Sequence, residues 1–363
     1  MLLENYEMNL PSYSIGPDIY KNIASKCSPY GKKIFIIGGK RALAAAKDKI
    51  SDALTDSNFE ITGIELFGKD CTYSNVERLR SMSAYKNADM IFAVGGGKCI
   101  DTCKNLCIPD DKPIFTFPTI ASNCSACTCV SIMYNEDGTF LKPHFYLHPP
   151  VHAFIQTDIL AQAPARYLWA GIGDTYAKYY EAEISSRNEQ LQHFTALGVT
   201  LSRMCLDPLV QYAPKAYEDN KNGVNSYELE QTVLAIVVTT GIVSIFLTRD
   251  FTPDYNSGLA HAVFYALTSY PVIEEKHLHG EVVGFGLLIA LLCDGQDEEF
   301  DKIYRLNQSI NLPTKLSDID ITEAEFEEVM DRIPEMSDIR HYPYAITRSM
   351  LTSALTKLHT CQI

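Results

Sequence analysis

The apolar and polar positions divide the chain into two halves of different character. "KKIFIIGGK" (32–40) is a continuous apolar run that ends in glycine, which predicts a buried strand and a tight turn. "RALAAAKDKISDAL" follows with apolar residues three or four apart, the spacing of an amphipathic helix. Next come a weaker strand "FEITGIELF", a helix-like "SNVERLRSMSAYKNA", and the strand "DMIFAV" with its own glycine turn. A further helix and the strand "PIFTFPT" complete the series. Alternation of this kind predicts a mostly parallel sheet covered on both faces. From about residue 163 the apolar segments, "RYLWAGIGDTYAKYYEAEI", "TVLAIVVTTGIVSIFL" and "VVGFGLLIALLC", all read as helices. The expected organisation is an α/β domain over 1–162 and an all-helical domain over 163–363. The stretch 215–228, "KAYEDNKNGVNSYE", reads as a surface loop.

Composition narrows the function classes. Of 363 residues, 46% are hydrophobic and 21% charged, an ordinary globular balance. A net charge of −14 opposes binding to nucleic acid or anionic lipid, and there are no basic stripes with interleaved aromatics. The longest apolar stretch, 232–247, carries threonines and a serine and falls short of the roughly 20 apolar residues of a membrane span. It is expected to be a buried core helix. The N-terminus lacks a basic region followed by an apolar core. A cytoplasmic protein with its eleven cysteines reduced is the expectation, with no membrane partner.

Candidate chemistry concentrates in two places. In "DMIFAVGGGKCIDTCKNLC" (89–107), Gly95, Gly96 and Gly97 follow an apolar strand and open a helix. Exposed backbone N–H groups and the positive end of a helix suit a phosphate or pyrophosphate. Lys98 adds a counter-charge. The pattern is neither a Walker loop nor GxGxxG: the Walker motif's first glycine would fall on Phe92, and Cys99 replaces its Ser or Thr. Cys99, Cys103 and Cys107 lie four apart on one helix face and are expected to pack as small hydrophobes. The CxxC at Cys124 and Cys127 lacks the second pair of a zinc ribbon. In the helical half, Asp174, His261, His277 and His279 supply carboxylate and imidazole donors for a divalent ion. Singly, each has a plain structural reading as a cap, a core histidine or a loop residue.

Taken together, these segments resemble the glycerol dehydrogenase-like branch of the iron-containing alcohol dehydrogenase superfamily. "VGGGKCIDTCK" is similar to the family's GGGKxxDxAK turn, and "PTIASNCSACTCVSIMYNEDG" to its PTIAST…SVIY…DG segment. "APARYLWAGIGDTYAKYYEA" and "HAVFYALT…LHGEVVGFG" are similar to its aspartate and two-histidine metal segments. The resemblance implies a Rossmann-like cofactor domain followed by an all-α metal domain, with the active site in the cleft between them. It implies that Asp174, His261 and His279 ligate zinc, or else iron or nickel, and act in catalysis through it; His277 is off the pattern. Members with four ligands carry a histidine where this chain has Lys178. Gly97, Lys98, Asp101, Thr119, Ser122, Thr128, Val130 and Tyr134 match positions that contact the nicotinamide cofactor. A homo-oligomer is expected by the same analogy.

Two departures bear on specificity. Polyol-oxidising members place an aspartate where this chain has Cys124, which removes an acceptor for neighbouring hydroxyls and a negative charge. After the first strand, Gly39 stands where NAD-preferring members often carry an acidic residue, with Lys40 and Arg41 beside it. NADP(H) is therefore admitted beside NAD(H). "GGKRALAAAKDKI", "TIASNCSACT" and "IRHYPYAIT" resemble the superfamily's hydroxycarboxylate dehydrogenases, which reduce short 2-oxo acids. The expected function is hydride transfer between a small 2-hydroxy acid and its 2-oxo acid. The alternatives are a glycerol, polyol or other secondary-alcohol dehydrogenase, an NAD-recycling carbocycle-forming lyase, and a non-catalytic nucleotide or metal sensor.

Overall fold

The computed structural model describes residues 6–248 and 255–360. It contains two compact units, one of 1–164 with 219–226 and the other of 165–218 with 227–363.

The first unit is built on a six-stranded sheet. Its strands are β1 (Tyr13–Gly16), β2 (Lys33–Gly38), β3 (Glu60–Leu66), β4 (Met90–Gly95), β5 (Ile114–Pro118) and β8 (His152–Gln156). A separate antiparallel hairpin is formed by β6 (Val130–Tyr134) and β7 (Phe140–Phe145). The sheet order is β1-β8-β5-β4-β2-β3, with every pair parallel. Strands β4, β5 and β8 are buried along their whole length, as is β2 beyond its first residue. That explains why they read as continuous apolar runs rather than alternating ones. On one face Phe92, Phe117 and Phe154 pack in sequence, with ring centroids 4.7 and 5.0 Å apart. Leu43, Ala46 and Ile50 of helix α1 (Lys40–Leu54) join the same core.

Strands β1 and β8 did not stand out in the residue pattern. His152 is the reason for β8: a polar residue opens the strand, yet it is buried, with its ring nitrogens 2.7 Å from Ser12 Oγ and 2.9 Å from Ser14 Oγ. The predicted helix over 74–88 divides at Met82, whose ψ of 140° interrupts α2 (Tyr73–Ser81). The stretch 215–228 is corrected in its first half. A helix over Asp207–Lys221 runs into it, and Asp219 and Asn220 are buried. Asn220 Nδ2 donates to the carbonyls of Leu160, Ala161 and Ala163, groups that a helix end leaves unpaired. Beyond the helix, 222–226 is a turn with Asn222, Val224 and Asn225 exposed, as a surface loop requires.

Order reverses at the pair β2 and β4, since the chain passes from β2 to β3 on one side and to β4 on the other. In open parallel sheets, ligands bind beyond the carboxyl ends of the strands at such a reversal. Both glycine turns lie there, Gly38–Gly39 ending β2 and Gly95–Gly97 ending β4.

The second unit is helical throughout, with no strand among its described residues. Its centre is three helices, α4 (Ala165–Ser185), α5 (Leu259–Leu267) and α6 (His279–Cys293). The apolar segment Tyr227–Leu247 is long and apolar enough to cross a membrane, but 72% of its most apolar window is buried inside the protein. It packs as a core helix.

Candidate active site

The three candidate ligands converge. Asp174 Oδ1 lies 3.5 Å from His261 Nε2 and 3.5 Å from His279 Nε2, and one donor atom from each residue falls within 4.8 Å of the others. A separation of 3.5 Å is long for a hydrogen bond. It is close to the edge of a tetrahedron of ligands about 2.0–2.1 Å from a zinc ion, which is about 3.4 Å. Asp174 and His261 are largely buried, whereas 42% of the His279 side chain is exposed, so the cluster is open on that flank. Phe264 packs edge-on against the His279 ring at 4.4 Å and limits its rotation.

Glycines allow this convergence. A Cβ on Gly280 would lie 2.0 Å from the carbonyl oxygen of Ala170, and one on Gly173 would lie 2.2 Å from that of Gly280. Helices α4 and α6 therefore meet backbone to backbone, directly beside Asp174 and His279. A Cβ on Gly286 would meet the Ala260 carbonyl at 2.5 Å, which brings α6 equally close to α5 beside His261. Each ligand has a small neighbour in sequence because each sits where two helices touch.

Electrostatics favours a cation at this point. Burial opposes ionisation of Asp174, but the His261 and His279 imidazoles outweigh it and hold its carboxyl well below the usual range. Burial likewise opposes a charged His261, yet Glu181 and Asp174 push its pKa up to about 10. Two carboxylates thus demand positive charge around His261, a demand that a divalent ion meets as well as a proton does. The donor set, its spacing and this demand fit a metal ion.

Three neighbours complete the surroundings. Glu181 is fully buried, with Oε2 2.7 Å from His261 Nδ1 and Oε1 accepting from the backbone N–H of Gly258 and His261. It lies two turns beyond Asp174 on the same face of α4. Lys178, at the place of the fourth-ligand histidine, is buried and donates to the Asn256 carbonyl. His277 lies outside the cluster: its Nδ1 is 2.8 Å from Glu281 Oε1, and its Nε2 is 3.5 Å from Asp320.

In the first unit, helix α3 (Gly97–Cys107) starts at the end of β4 with no side chain capping it. A Cβ on Gly96 would meet the tip of Ile120 at 2.5 Å and one on Gly97 the tip of Asn123 at 2.5 Å, so a side chain at either position would have to displace that neighbour. Thr119 lies alongside, its N–H donating to the Gly95 carbonyl, and Ser122 and Cys124 are half-buried in the following turn. Gly39 precedes α1, with Lys40 and Arg41 exposed in its first turn.

Several other predicted cofactor residues have internal partners. The Lys98 ammonium pairs with the buried Asp70 and lies 4.6 Å from the centre of the Tyr134 ring. Asp101 accepts from Ser125 Oγ and the Ile132 N–H, and sits 3.1 Å from the ammonium of the fully buried Lys104. Thr128 Oγ1 accepts from Lys104, which also donates to the Val130 carbonyl. These bonds tie the 125–132 segment to α3. Removing one partner of a buried ion pair costs about 3–5 kcal/mol. Lys104→Met is expected to lower unfolding free energy by that order in chemical denaturation, and a wild-type denaturation midpoint would contradict it.

Cys27, Cys71, Cys99, Cys103, Cys107, Cys127, Cys129 and Cys293 are free thiols. Cys99, Cys103 and Cys107 are buried beneath α3. Burial pushes the Cys127 thiol up to about 12, which leaves almost no thiolate for redox chemistry at neutral pH.

Residues 11–153 match the family described as iron-containing alcohol dehydrogenase. Hydroxycarboxylate dehydrogenase A of Escherichia coli strain K12 is 32% identical over 331 residues, 89% of this chain and 88% of that protein. The chain belongs to the iron-containing alcohol dehydrogenase family. A glycerol dehydrogenase of Pseudomonas putida is 31% identical over 86% of this chain and 84% of its own. The crystal structure of a probable glycerol dehydrogenase from Sinorhizobium meliloti 1021 superposes with a TM-score of 0.82, at 27% identity and 98% coverage of each chain. Glycerol dehydrogenase from Schizosaccharomyces pombe, at 24% identity, shares the fold with a TM-score of 0.84. This member of the family is thus an oxidoreductase of the alcohol or hydroxycarboxylate dehydrogenase type, with an α/β Rossmann-like first part and an all-α second part.

Residue patterns missed Glu181 and the glycine contacts. For Glu181 a signal existed, the seven-residue spacing from Asp174. The glycines gave none, because a close helix crossing depends on both partners.

Proposed function

We propose that the enzyme interconverts a small 2-hydroxy acid and its 2-oxo acid, with a divalent ion held by Asp174, His261 and His279 and a nicotinamide cofactor held by the first unit. The observation that carries the metal assignment is the convergence of three donors within 4.8 Å of one another around a point that requires positive charge. Bound there, the ion supplies Lewis-acid polarisation of the substrate oxygen, while the nicotinamide supplies or accepts the hydride. The chain's own part is orientation. Asp174 and His261 are anchored by burial, and His279 marks the flank open to substrate. In the first unit, the free N–H groups at the start of α3 take the pyrophosphate, and Gly39 leaves room for the adenosine ribose. Lys40 and Arg41 beside it favour acceptance of a 2′-phosphate, hence NADP(H) alongside NAD(H).

Charge supports an acid substrate. A divalent ion together with Lys178 outweighs Asp174 and Glu181 by one positive charge, which suits a carboxylate next to the reacting carbon. Cys124 stands where polyol-oxidising relatives carry an aspartate, so nothing there repels that carboxylate. The second reading is glycerol or another polyol, favoured by the number of relatives named glycerol dehydrogenase.

The deciding assay follows NADPH and NADH oxidation with 2-oxobutyrate, 2-oxoglutarate and dihydroxyacetone, with added zinc and with chelator. The expected result is chelator-sensitive reduction, with kcat/KM for an oxo acid at least about tenfold above that for dihydroxyacetone, about 1.4 kcal/mol of discrimination. The reverse preference would establish the polyol reading.

A further inference from the structure

We infer that Glu181 is a positioning residue that fixes His261 as its Nδ1–H tautomer and so makes Nε2 the metal-binding atom; the inference rests on the metal reading above. The geometry leaves little freedom. Glu181 Oε1 accepts from the Gly258 N–H at 2.9 Å and the His261 N–H at 3.0 Å. Backbone N–H groups only donate, so these two bonds set the carboxylate plane at the start of α5. Oε2 is then 2.7 Å from His261 Nδ1. A carboxylate only accepts, so the proton of this bond belongs to the imidazole. With Nδ1 protonated, Nε2 carries the lone pair, and Nε2 is the atom 3.5 Å from Asp174 Oδ1. The Nδ1 to Oε2 bond also opposes a ring flip, because the flip would place a carbon against Oε2.

Full burial gives Glu181 no other task at the surface. Its place on α4 also links two ligands. Asp174 and Glu181 share one helix face, so α4 contributes one ligand directly and orients a second from α5. Partners of this kind raise ligand basicity as well as fixing the ring, and their loss typically costs about 10–100-fold in metal affinity.

Glu181→Gln separates orientation from packing. The amide has the same shape, and its oxygen can still accept from Gly258 and His261. Its NH₂ would then face Nδ1 as a donor, which moves the imidazole proton to Nε2 and removes the lone pair from the metal side. The experiment strips the full-length protein with chelator and titrates zinc against a chromophoric competitor, while thermal unfolding is recorded for both metal-free proteins. The expected result is a 10–100-fold loss of zinc affinity in Glu181→Gln with a metal-free unfolding midpoint close to wild type. Zinc affinity within twofold of wild type would overturn the inference. Nitrogen-15 histidine spectra of the zinc-loaded wild type decide the matter even if the variant fails to fold. His261, assigned by its loss in His261→Asn, must show a protonated Nδ1 and a metal-shifted Nε2, and the opposite pattern refutes the proposal. A wild type that binds no divalent ion would instead remove the metal reading itself.

Discussion

Asp174→Ala is expected to lose bound metal and to lower kcat/KM by at least about a thousandfold, the scale set by several kcal/mol of lost charge stabilisation. The reason is the position of Oδ1, which is 3.5 Å from both imidazole nitrogens and bridges the two histidines. Without it, His261 and His279 remain as two imidazole donors, and the only anionic ligand of the set is gone. His261→Ala should behave alike, because it removes a donor and leaves the buried Glu181 without its imidazole partner. Metal content by elemental analysis and turnover on the substrate panel check both variants. Normal activity in either one, at wild-type protein yield and with the metal still bound, would remove the cluster from the mechanism.

Gly280→Ala should act on the same site through the backbone. The added methyl would meet the Ala170 carbonyl oxygen at 2.0 Å, its carbon at 2.9 Å and the Asp174 Cβ at 2.9 Å. None of these atoms can swing aside as a flexible side chain would, since two belong to the main chain of α4. The helices must separate, and overpacking of this kind costs about 1–3 kcal/mol, more where the backbone has to move. Separation also pulls Asp174 from His279, so loss of metal affinity is expected beyond what general destabilisation causes. Thermal unfolding and zinc titration together test this. A variant that melts and binds zinc like the wild type would show that α4 and α6 are not held in the contact described.

The two halves of the chain were legible for different reasons. Strands β2, β4 and β5 announced themselves as apolar runs because both their faces are covered. Strand β8 did not, because His152 and Gln156 bound it, and their burial depends on partners that lie distant in sequence. The helical part of 215–228, up to Lys221, was misread for the same reason. Asn220 looks like a loop residue until the carbonyls of Leu160, Ala161 and Ala163 are found beside it.

Candidate chemistry divides similarly. Residue type offered Asp174, His261, His277 and His279 as candidate donors, and the resemblance to the family singled out Asp174, His261 and His279. The glycine turn after β4 was likewise readable, since the strand, the glycines and the helix are consecutive. Lys98 and Asp101 show the limit of that reading. The resemblance assigned them to a cofactor; their partners in the fold, Asp70 and Tyr134 for Lys98 and Ser125, Ile132 and Lys104 for Asp101, were not legible in the sequence.

By itself, then, the sequence determined the buried central strands, the change from α/β to helical character, the glycine turn after β4 and the residue types of the candidate donors. These are properties of local periodicity and side-chain chemistry. Tertiary structure alone decided which strands lie side by side, how closely α4, α5 and α6 approach, and that Glu181 faces His261 Nδ1. Those depend on pairs of segments as far apart as Tyr13 and Ala153, and no single segment carries the information: a glycine permits a close crossing only when another backbone arrives to use it.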